Sequence, residues 1–178
     1  MGLENLQAGI AFIYTERLIL IPFTAEILDS IENEGGALLK ANKLIYGNGW
    51  PDDDALETFP KIKKNLALVT RPTGFESWLI VKKDGFVIIG DAGFKGQPSA
   101  AGTIDIGYAI IAIERMQGFA AETVQALIQW AFNQPNVNSI KASCLISNSG
   151  SQKILQKFEF SELNRNEEMI FWEREKSC

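Results

Sequence analysis

Histidine is absent from the 178 residues. That removes Ser-His-Asp and Cys-His nucleophilic catalysis together with histidine-based metal sites. Cysteine is scarce: Cys144 and Cys178 make neither a disulfide framework nor a metal cluster, and a reducing cytoplasm suits such sparing use of thiols. No run of about 18 apolar residues occurs, so no membrane span is expected. Met1 to Ala11 has no basic residue ahead of its apolar ones, so no secretory signal is expected. Leu6 stands where N-myristoylation after Met1-Gly2 calls for Ser or Thr. Positive charge is in deficit, with 17 Lys and Arg against 22 Asp and Glu for a net −5, which argues against a broad nucleic-acid surface.

What is present suits one domain with a sizeable core: the apolar fraction of 46% is ordinary for a globular protein. No repeat or linker interrupts residues 1–178, which read as a single domain. Tyr14 to Phe23 reads as a strand apolar on both faces. Thr24 caps a helix from Ala25 to Glu34 that Gly35-Gly36 breaks, and Leu38 to Leu44 forms a second, short helix. Tyr46 to Asp54 is loop material whose acids favour a helix start. The helix that follows spans Ala55 to Val69, with Pro60 able to displace its beginning. Phe75–Lys82 and Phe86–Phe94 are strands joined at Asp84-Gly85, and Thr103–Ile110 completes an antiparallel meander. A strand at Ser139–Ile146 runs parallel to Thr103–Ile110 if a right-handed crossover joins them. A helix over Gln152–Phe158 and a hairpin of Phe160–Leu163 with Glu168–Trp172 end the chain.

The chain is organised around Ile104–Phe132. It holds no proline, so each residue of its turn keeps a backbone N–H. The strand half is rich in β-branched and aromatic residues, while Ala120, Val124, Leu127, Ile128 and Ala131 fall on one helical face. Between them lies Arg115-Met116-Gln117-Gly118-Phe119-Ala120. A strand that feeds directly into a helix leaves several N–H groups unpaired, and with the helix dipole they make a site for an anion, typically a phosphate. Gly118, lacking a Cβ, lets a ligand approach the backbone closely. The same pattern also serves as an ordinary turn that a glycine eases. It is neither a Walker loop, since no Gly-Lys-Ser/Thr follows, nor the dinucleotide fingerprint, which needs three glycines.

Arg115-x-x-Gly118-x-Ala120, after a strand and opening a helix, resembles the acyl-CoA signature Gln/Arg-x-x-Gly-x-Gly/Ala of the N-acetyltransferase (GNAT) superfamily. Upstream, Asp105-Ile106-Gly107-Tyr108 resembles the Glu-Ile-Gly-Tyr of one branch. That branch includes enzymes acetylating the N-termini of ribosomal proteins (the ribosomal-protein alanine acetyltransferase type) and many bacterial small-molecule acetyltransferases. Downstream, Ala120-Ala121-Glu122-Thr123-Val124 resembles its Ala-Thr-Glu-Ala-Leu/Val. The likeness runs from Thr15-Glu16-Arg17-Leu18 to about Phe160. It implies an α+β, three-layer α/β/α-like fold: a mixed, mostly antiparallel sheet of six to seven strands, about four helices, and a parallel pair splayed at the cofactor cleft. It implies acetyl-CoA as donor, no metal, and a primary amine of a small molecule or of a peptide or protein N-terminus as acceptor, attacked directly in a ternary complex. It leaves a homodimer open. A second reading keeps the fold and an acyl-CoA site without turnover. A nucleotide-phosphate enzyme is disfavoured, because no acidic pair follows the loop at a spacing suited to Mg²⁺.

Acyl transfer to an amine needs a held thioester, a neutral amine and a stabilised or protonated thiolate. The resemblance assigns the diphosphate to the amides of Met116, Gln117, Gly118, Phe119, Ala120 and Ala121, with Arg115 supporting the loop. Backbone groups near Tyr108 to Ile111, those of Ile110 and Ile111 among them, would pair with the pantetheine arm as an added strand does. Asn148 and Ser151 match the family's Asn-x-x-Ser. Asn148 bonds the arm, caps the helix, or does both, and Ser151 protonates or hydrogen-bonds the thiolate. Met116 replaces a usual Gly or Arg and is expected to crowd the loop. Lys157-Phe158-Glu159-Phe160 lacks a glycine of the family pattern, at roughly 1 kcal/mol if that site is left-handed. Asp105 is the candidate base, one methylene shorter than the family's Glu; alternatively it pairs with a Lys or Arg on a neighbouring strand. Asp91 is a weaker alternative. Tyr46 and Trp50 either line the acceptor pocket or cap the edge of the core, and Cys144 reads as a core residue.

Overall fold

A computed structural model describes residues 3–6 and 9–177; Met1, Gly2 and Cys178, on which the readings of a leader, a lipid anchor and the last thiol fell, lie outside them. The first long strand, β2 (Leu18–Pro22), is buried at every position because its apolar residues face both ways. β1 (Ile13–Tyr14) flanks it. Thr24 accepts a hydrogen bond from the Ile27 N–H at 3.0 Å and so starts α1 (Ala25–Asn33). Left-handed Gly36 separates α1 from α2 (Ala37–Ala41). β3 (Ile45–Tyr46) and a loop through Trp50 lead to α3 (Asp53–Leu66). Pro60 does not displace the start of α3: Asp52 accepts from the Ala55 N–H at 3.1 Å, and that cap sets the first turn ahead of the proline.

The meander is β4 (Ser77–Lys82), β5 (Val87–Phe94) and β6 (Thr103–Ile110). α4 (Phe119–Phe132) then crosses to β7 (Ser139–Leu145), and α5 (Ser149–Lys157), β8 (Ser161–Arg165) and β9 (Met169–Glu175) follow. All strands join one mixed sheet in the order β1-β2-β4-β5-β6-β7-β9-β8, with β3 beside β5. Among the described residues only β6–β7 and β3–β5 pair in parallel. The longer strands form the expected sheet; among the described residues the two-residue β1 and β3 bring the strands to nine, and short α2 brings the α-helices to five. Past α5 the backbone of Glu159 is left-handed, φ 61°, where the family has its glycine.

Directly paired residues point to the same face of a sheet. Trp78, Ala92 and Tyr108 therefore share one face, the one covered by α4, where Trp130 meets Trp78 and Phe94 with ring centres 5.8 Å apart in each case. Leu79, Asp91 and Ala109 share the other. α3 packs on that face, its Phe59 lying 6.2 Å from Phe23 beside β2.

Two irregularities open the sheet. β6 and β7 pair only from Thr103/Ser139 to Ile106/Ala142; beyond, each runs on without the other. On β5, Ile80 opposes Gly90 while Val81 opposes Ile88, which leaves Ile89 as an extra residue and increases the local twist. Where β6 ends, β3 takes up the vacated edge of β5, with Tyr46 beside Ile88. The Gly47 N–H donates to Ile88 O at 2.9 Å. A Cβ on Gly47 would stand 2.5 Å from that oxygen and 2.9 Å from Ile111 Cδ1, so only glycine lets the loop pass.

Candidate active site

The turn between β6 and α4 is folded by its own side chains. Arg115 Nε donates to Ile110 O at 2.7 Å, tying the loop back to the strand, and Nη2 stands 3.7 Å from Asp54 of α3. Met116 and Gly118 are both left-handed, φ 61° and 85°. The Met116 side chain is 98% exposed, so it leaves the loop uncrowded; its backbone costs roughly 1 kcal/mol. A Cβ on Gly118 would stand 3.2 Å from Arg17 Nη2. The N–H groups of Met116 to Ala121 donate to no backbone acceptor among the described residues, and they lie at the positive end of α4.

Arg17 closes on that end. Its Nη1 donates to Gln117 O at 2.9 Å, its Nε to Glu122 Oε2 at 2.7 Å, and its guanidinium lies 4.5 Å from the centre of the Phe119 ring. Glu122 also accepts from the Thr15 hydroxyl at 2.6 Å and from the Arg17 N–H at 2.8 Å. Burial alone would raise this carboxyl, but the bonds from Thr15 and Arg17 hold it below the ordinary carboxylate value. A cavity of about 730 Å³ runs from Arg17 and Gly118 along Gln125 and Gln129 of α4 to Lys157. The clamp escapes a reading of the sequence, since nothing near Thr15 or Arg17 signals their partner in a later helix.

The second part of the site is the gap between β6 and β7. The Ile111 N–H donates to Ile89 O, and Asp105 O accepts from the Lys95 N–H, both at 2.9 Å. Odd-numbered residues of β6 thus turn their main-chain groups toward β5, and Tyr108 and Ile110 turn theirs toward the gap. Ile111 O accepts from the Glu114 N–H at 3.0 Å, so both of its main-chain groups are engaged, and Ile110 O is held by Arg115. The Tyr108 hydroxyl is buried and makes no hydrogen bond of ordinary geometry. Burial pushes it up to about 12, the approaching Ser151 hydroxyl draws it down, and the Cys144 thiol adds slightly to the rise. Ser151 lies in the first turn of α5, where its N–H donates to Asn148 Oδ1 at 3.0 Å; Asn148 is therefore the cap of α5. Cys144 is buried on β7. The sequence reading used Tyr108 for its backbone and did not single out its hydroxyl.

Asp105 lies in the part of β6 still paired with β7, opposite Lys141. Lys95 Nζ stands 2.7 Å from its Oδ1, without hydrogen-bond alignment. Both side chains are well exposed, so the pair contributes no more than about 1 kcal/mol.

On the α3 face, Trp50 is 4% exposed and meets Tyr46 at 5.0 Å and Phe59 at 6.2 Å, edge-on in both cases. The two aromatics fasten the loop to α3. Trp50 Nε1 and Tyr46 Oη are buried without partners, and burial raises the Tyr46 hydroxyl. Asp91 is 5% exposed and its Oδ2 has no partner. Burial pushes its carboxyl up to about 7, with the charges of Asp52 and then Asp54 adding to the rise. Among the described residues no group of three or more His, Cys, Asp or Glu is arranged to hold a metal ion, and no helix is long and apolar enough to cross a membrane.

The family model described as Acetyltransferase (GNAT) domain matches residues 17–161. The chain is 35% identical over 158 residues to the uncharacterized N-acetyltransferase YjdG of Bacillus subtilis (strain 168), covering 89% of this chain and 94% of that one. Its fold is similar to that of a putative ribosomal-protein-serine acetyltransferase from Vibrio cholerae, with a TM-score of 0.65 at 15% identity over 96% of this chain and 100% of that one. It is also similar to the microcin C7 self immunity acetyltransferase MccE, solved in complex with acetyl-CoA and AMP, with a TM-score of 0.63 at 16% identity over 90% of this chain and 93% of that one.

Proposed function

This chain belongs to the acetyltransferase (GNAT) domain family and is an N-acetyltransferase; on that premise we propose that it works as a single domain and moves an acetyl group from acetyl-CoA to a primary amine, on a small molecule or at a peptide N-terminus, by direct attack in a ternary complex. One observation carries this reading: β6 and β7 part beyond Ile106 and Ala142, beside a helix end whose N–H groups are free of backbone partners. Acetyl-CoA supplies, when bound, an activated carbonyl with a thiolate leaving group.

The residues of the cleft suit that donor in three ways. The amides from Met116 to Ala121 offer several donors at a helix N-terminus, which favours a diphosphate over a neutral group. Tyr108 and Ile110 present main-chain groups to the gap, as a sheet edge does to an added strand. The Tyr108 hydroxyl, buried without a partner beside Ser151, is a donor waiting for an acceptor such as a departing sulfur. Asn148 and Arg115 hold the ends of this arrangement, Asn148 by capping α5 and Arg115 by bracing the loop.

On the opposite face, the unpartnered polar atoms of Tyr46, Trp50 and Asp91, near the carboxylates of Asp52 and Asp54, suit a cationic acceptor. Calorimetric titration with acetyl-CoA, followed by a thiol-release assay over a panel of primary amines, tests the reading. Saturable binding with amine-dependent release is expected. Binding of acetyl-CoA with no thiol release in the presence of any amine leaves an acyl-CoA-binding module.

A further inference from the structure

We propose that Asp91, the carboxylate that β5 holds one strand away from the β6–β7 gap, is the catalytic base that takes the proton from the acceptor's ammonium group, an inference that rests on the acetyl-transfer reading above. Its Oδ2 has no hydrogen-bond partner and the residue is 5% exposed. A buried carboxylate is ordinarily paired or fully hydrogen-bonded, because leaving water costs the charged form so much. Asp91 has no such compensation. Its cross-strand neighbours are Leu79 and Ala109, neither of them charged. The charges that face it are Asp52 and Asp54 at the start of α3, both of its own sign, and Arg115 is committed to Asp54 at 3.7 Å. The fold has kept an acceptor oxygen dry and unpaired where a cation would relieve it.

The register sets its place. Asp91 opposes Ala109, and Ala109 belongs to the stretch of β6 that has lost β7 as a neighbour. The backbone of Asp91 therefore lies one strand spacing, about 4.8 Å, from the strand that borders the gap. It faces the α3 side, where the loop before α3 carries two more buried polar atoms without partners, Tyr46 Oη and Trp50 Nε1. Asp105 points to the same face but sits two residues short of the first unpaired position and already has Lys95 2.7 Å away. A carboxyl that titrates near 7 is also poised to exchange a proton at ordinary pH.

The step balances with groups already named. The acceptor enters as an ammonium ion, an N–H bond breaks, and the proton passes to Asp91 Oδ2. The lone pair so freed forms the C–N bond at the thioester carbonyl while the C–S bond breaks. The thiolate takes the second proton that the nitrogen sheds as it becomes an amide, with the Tyr108 hydroxyl able to pass it. Asp91 then returns its proton to water, so one ammonium and one thioester give one amide, one thiol and one proton.

The test uses the full chain, acetyl-CoA, and a panel of primary amines assayed by thiol release from about pH 5.5 to 9. Asp91→Asn, which keeps the shape, is expected to lower kcat by about 100-fold or more while calorimetry shows acetyl-CoA binding unaltered. In the wild type, kcat/KM rises through an ionisation near 7, and Asp91→Asn abolishes that rise. A variant that keeps its rate within about threefold, or keeps the same pH profile, overturns the proposal. So does an Asp105→Asn variant that loses as much as Asp91→Asn or more. Those results fail Asp91 alone; a wild type that binds acetyl-CoA but releases no thiol with any amine of the panel fails the acetyl-transfer reading, and the assignment of Asp91 falls with it.

Discussion

Arg17 and Glu122 stand 105 residues apart in the chain and meet at 2.7 Å, Nε to Oε2, where β2 passes the first turn of α4. The contact resolves a conflict at that helix end. A glutamate in the first turn favours the helix but would repel an anion on the same amides. With Arg17 and Thr15 both donating to it, the charge of Glu122 is compensated, so it competes less with an anion for the N–H groups of Met116 to Ala121, which have no backbone acceptor among the described residues.

Arg17→Ala should therefore weaken acetyl-CoA binding more than it weakens the fold. The side chain is 44% exposed, so the stability lost is about 1 kcal/mol, screened as partly exposed pairs are. Affinity should drop by about tenfold, as one charge-assisted contact and the Gln117 anchor go together. Urea denaturation and calorimetric titration separate the two effects; equal acetyl-CoA affinity in the variant would refute the clamp.

Gly118→Ala forces an L side chain into left-handed backbone and brings its Cβ to 3.2 Å from Arg17 Nη2. The strain is about 1 kcal/mol. The larger effect is on the ligand, because the new methyl stands at the capping residue of α4. Acetyl-CoA affinity should fall by at least about tenfold, which calorimetry reads directly.

Tyr108→Phe removes a buried hydroxyl that has no partner, so stability should be unchanged or slightly raised. If the hydroxyl serves the thiolate, kcat should fall by about 10- to 100-fold with acetyl-CoA affinity retained. Ser151→Ala should have a smaller effect in the same direction. Thermal melts alongside steady-state rates check both, and a Tyr108→Phe enzyme of full activity would remove the hydroxyl from the mechanism.

Asp91 links pH to stability with a definite sign. Its carboxyl titrates at 3.8 in the unfolded chain and about 7 in the folded one, so between those values the folded protein holds a proton that the unfolded chain has lost. The protonated form's contribution is complete below 3.8 and is lost as pH rises through about 7. Asp91→Asn should accordingly stabilise the protein more at about pH 8 than at about pH 5, by a few kcal/mol at most. Melting curves of both proteins at the two values test this, and a difference that does not change with pH would contradict it.

Much of the site was legible because it is local. The step from strand to helix at Gly118 follows from spacing and from the lack of proline, and Thr24, Asp52 and Asn148 cap α1, α3 and α5 through bonds to N–H groups three residues on. Glu159 bears the left-handed backbone, φ 61°, that a missing glycine in the helix-ending pattern implied. The start of α3 shows local signals in competition: a cap that satisfies an N–H outweighs a proline that only lacks one. Asp91 was visible as a carboxylate in an apolar strand, but its want of a partner was not, since that depends on what other strands bring near it.

The order of residues by itself determined the elements, their caps and the run of amides at the head of α4, because each depends on neighbours a few positions away and on backbone geometry. Only the tertiary structure decided where β6 and β7 part, that β3 takes the edge of β5 beyond the end of β6, that Lys95 meets Asp105, and that Arg17 neutralises Glu122. Those are contacts between distant segments, selected by strand register and by the expense of burying an uncompensated charge, and register is a property of the assembled sheet.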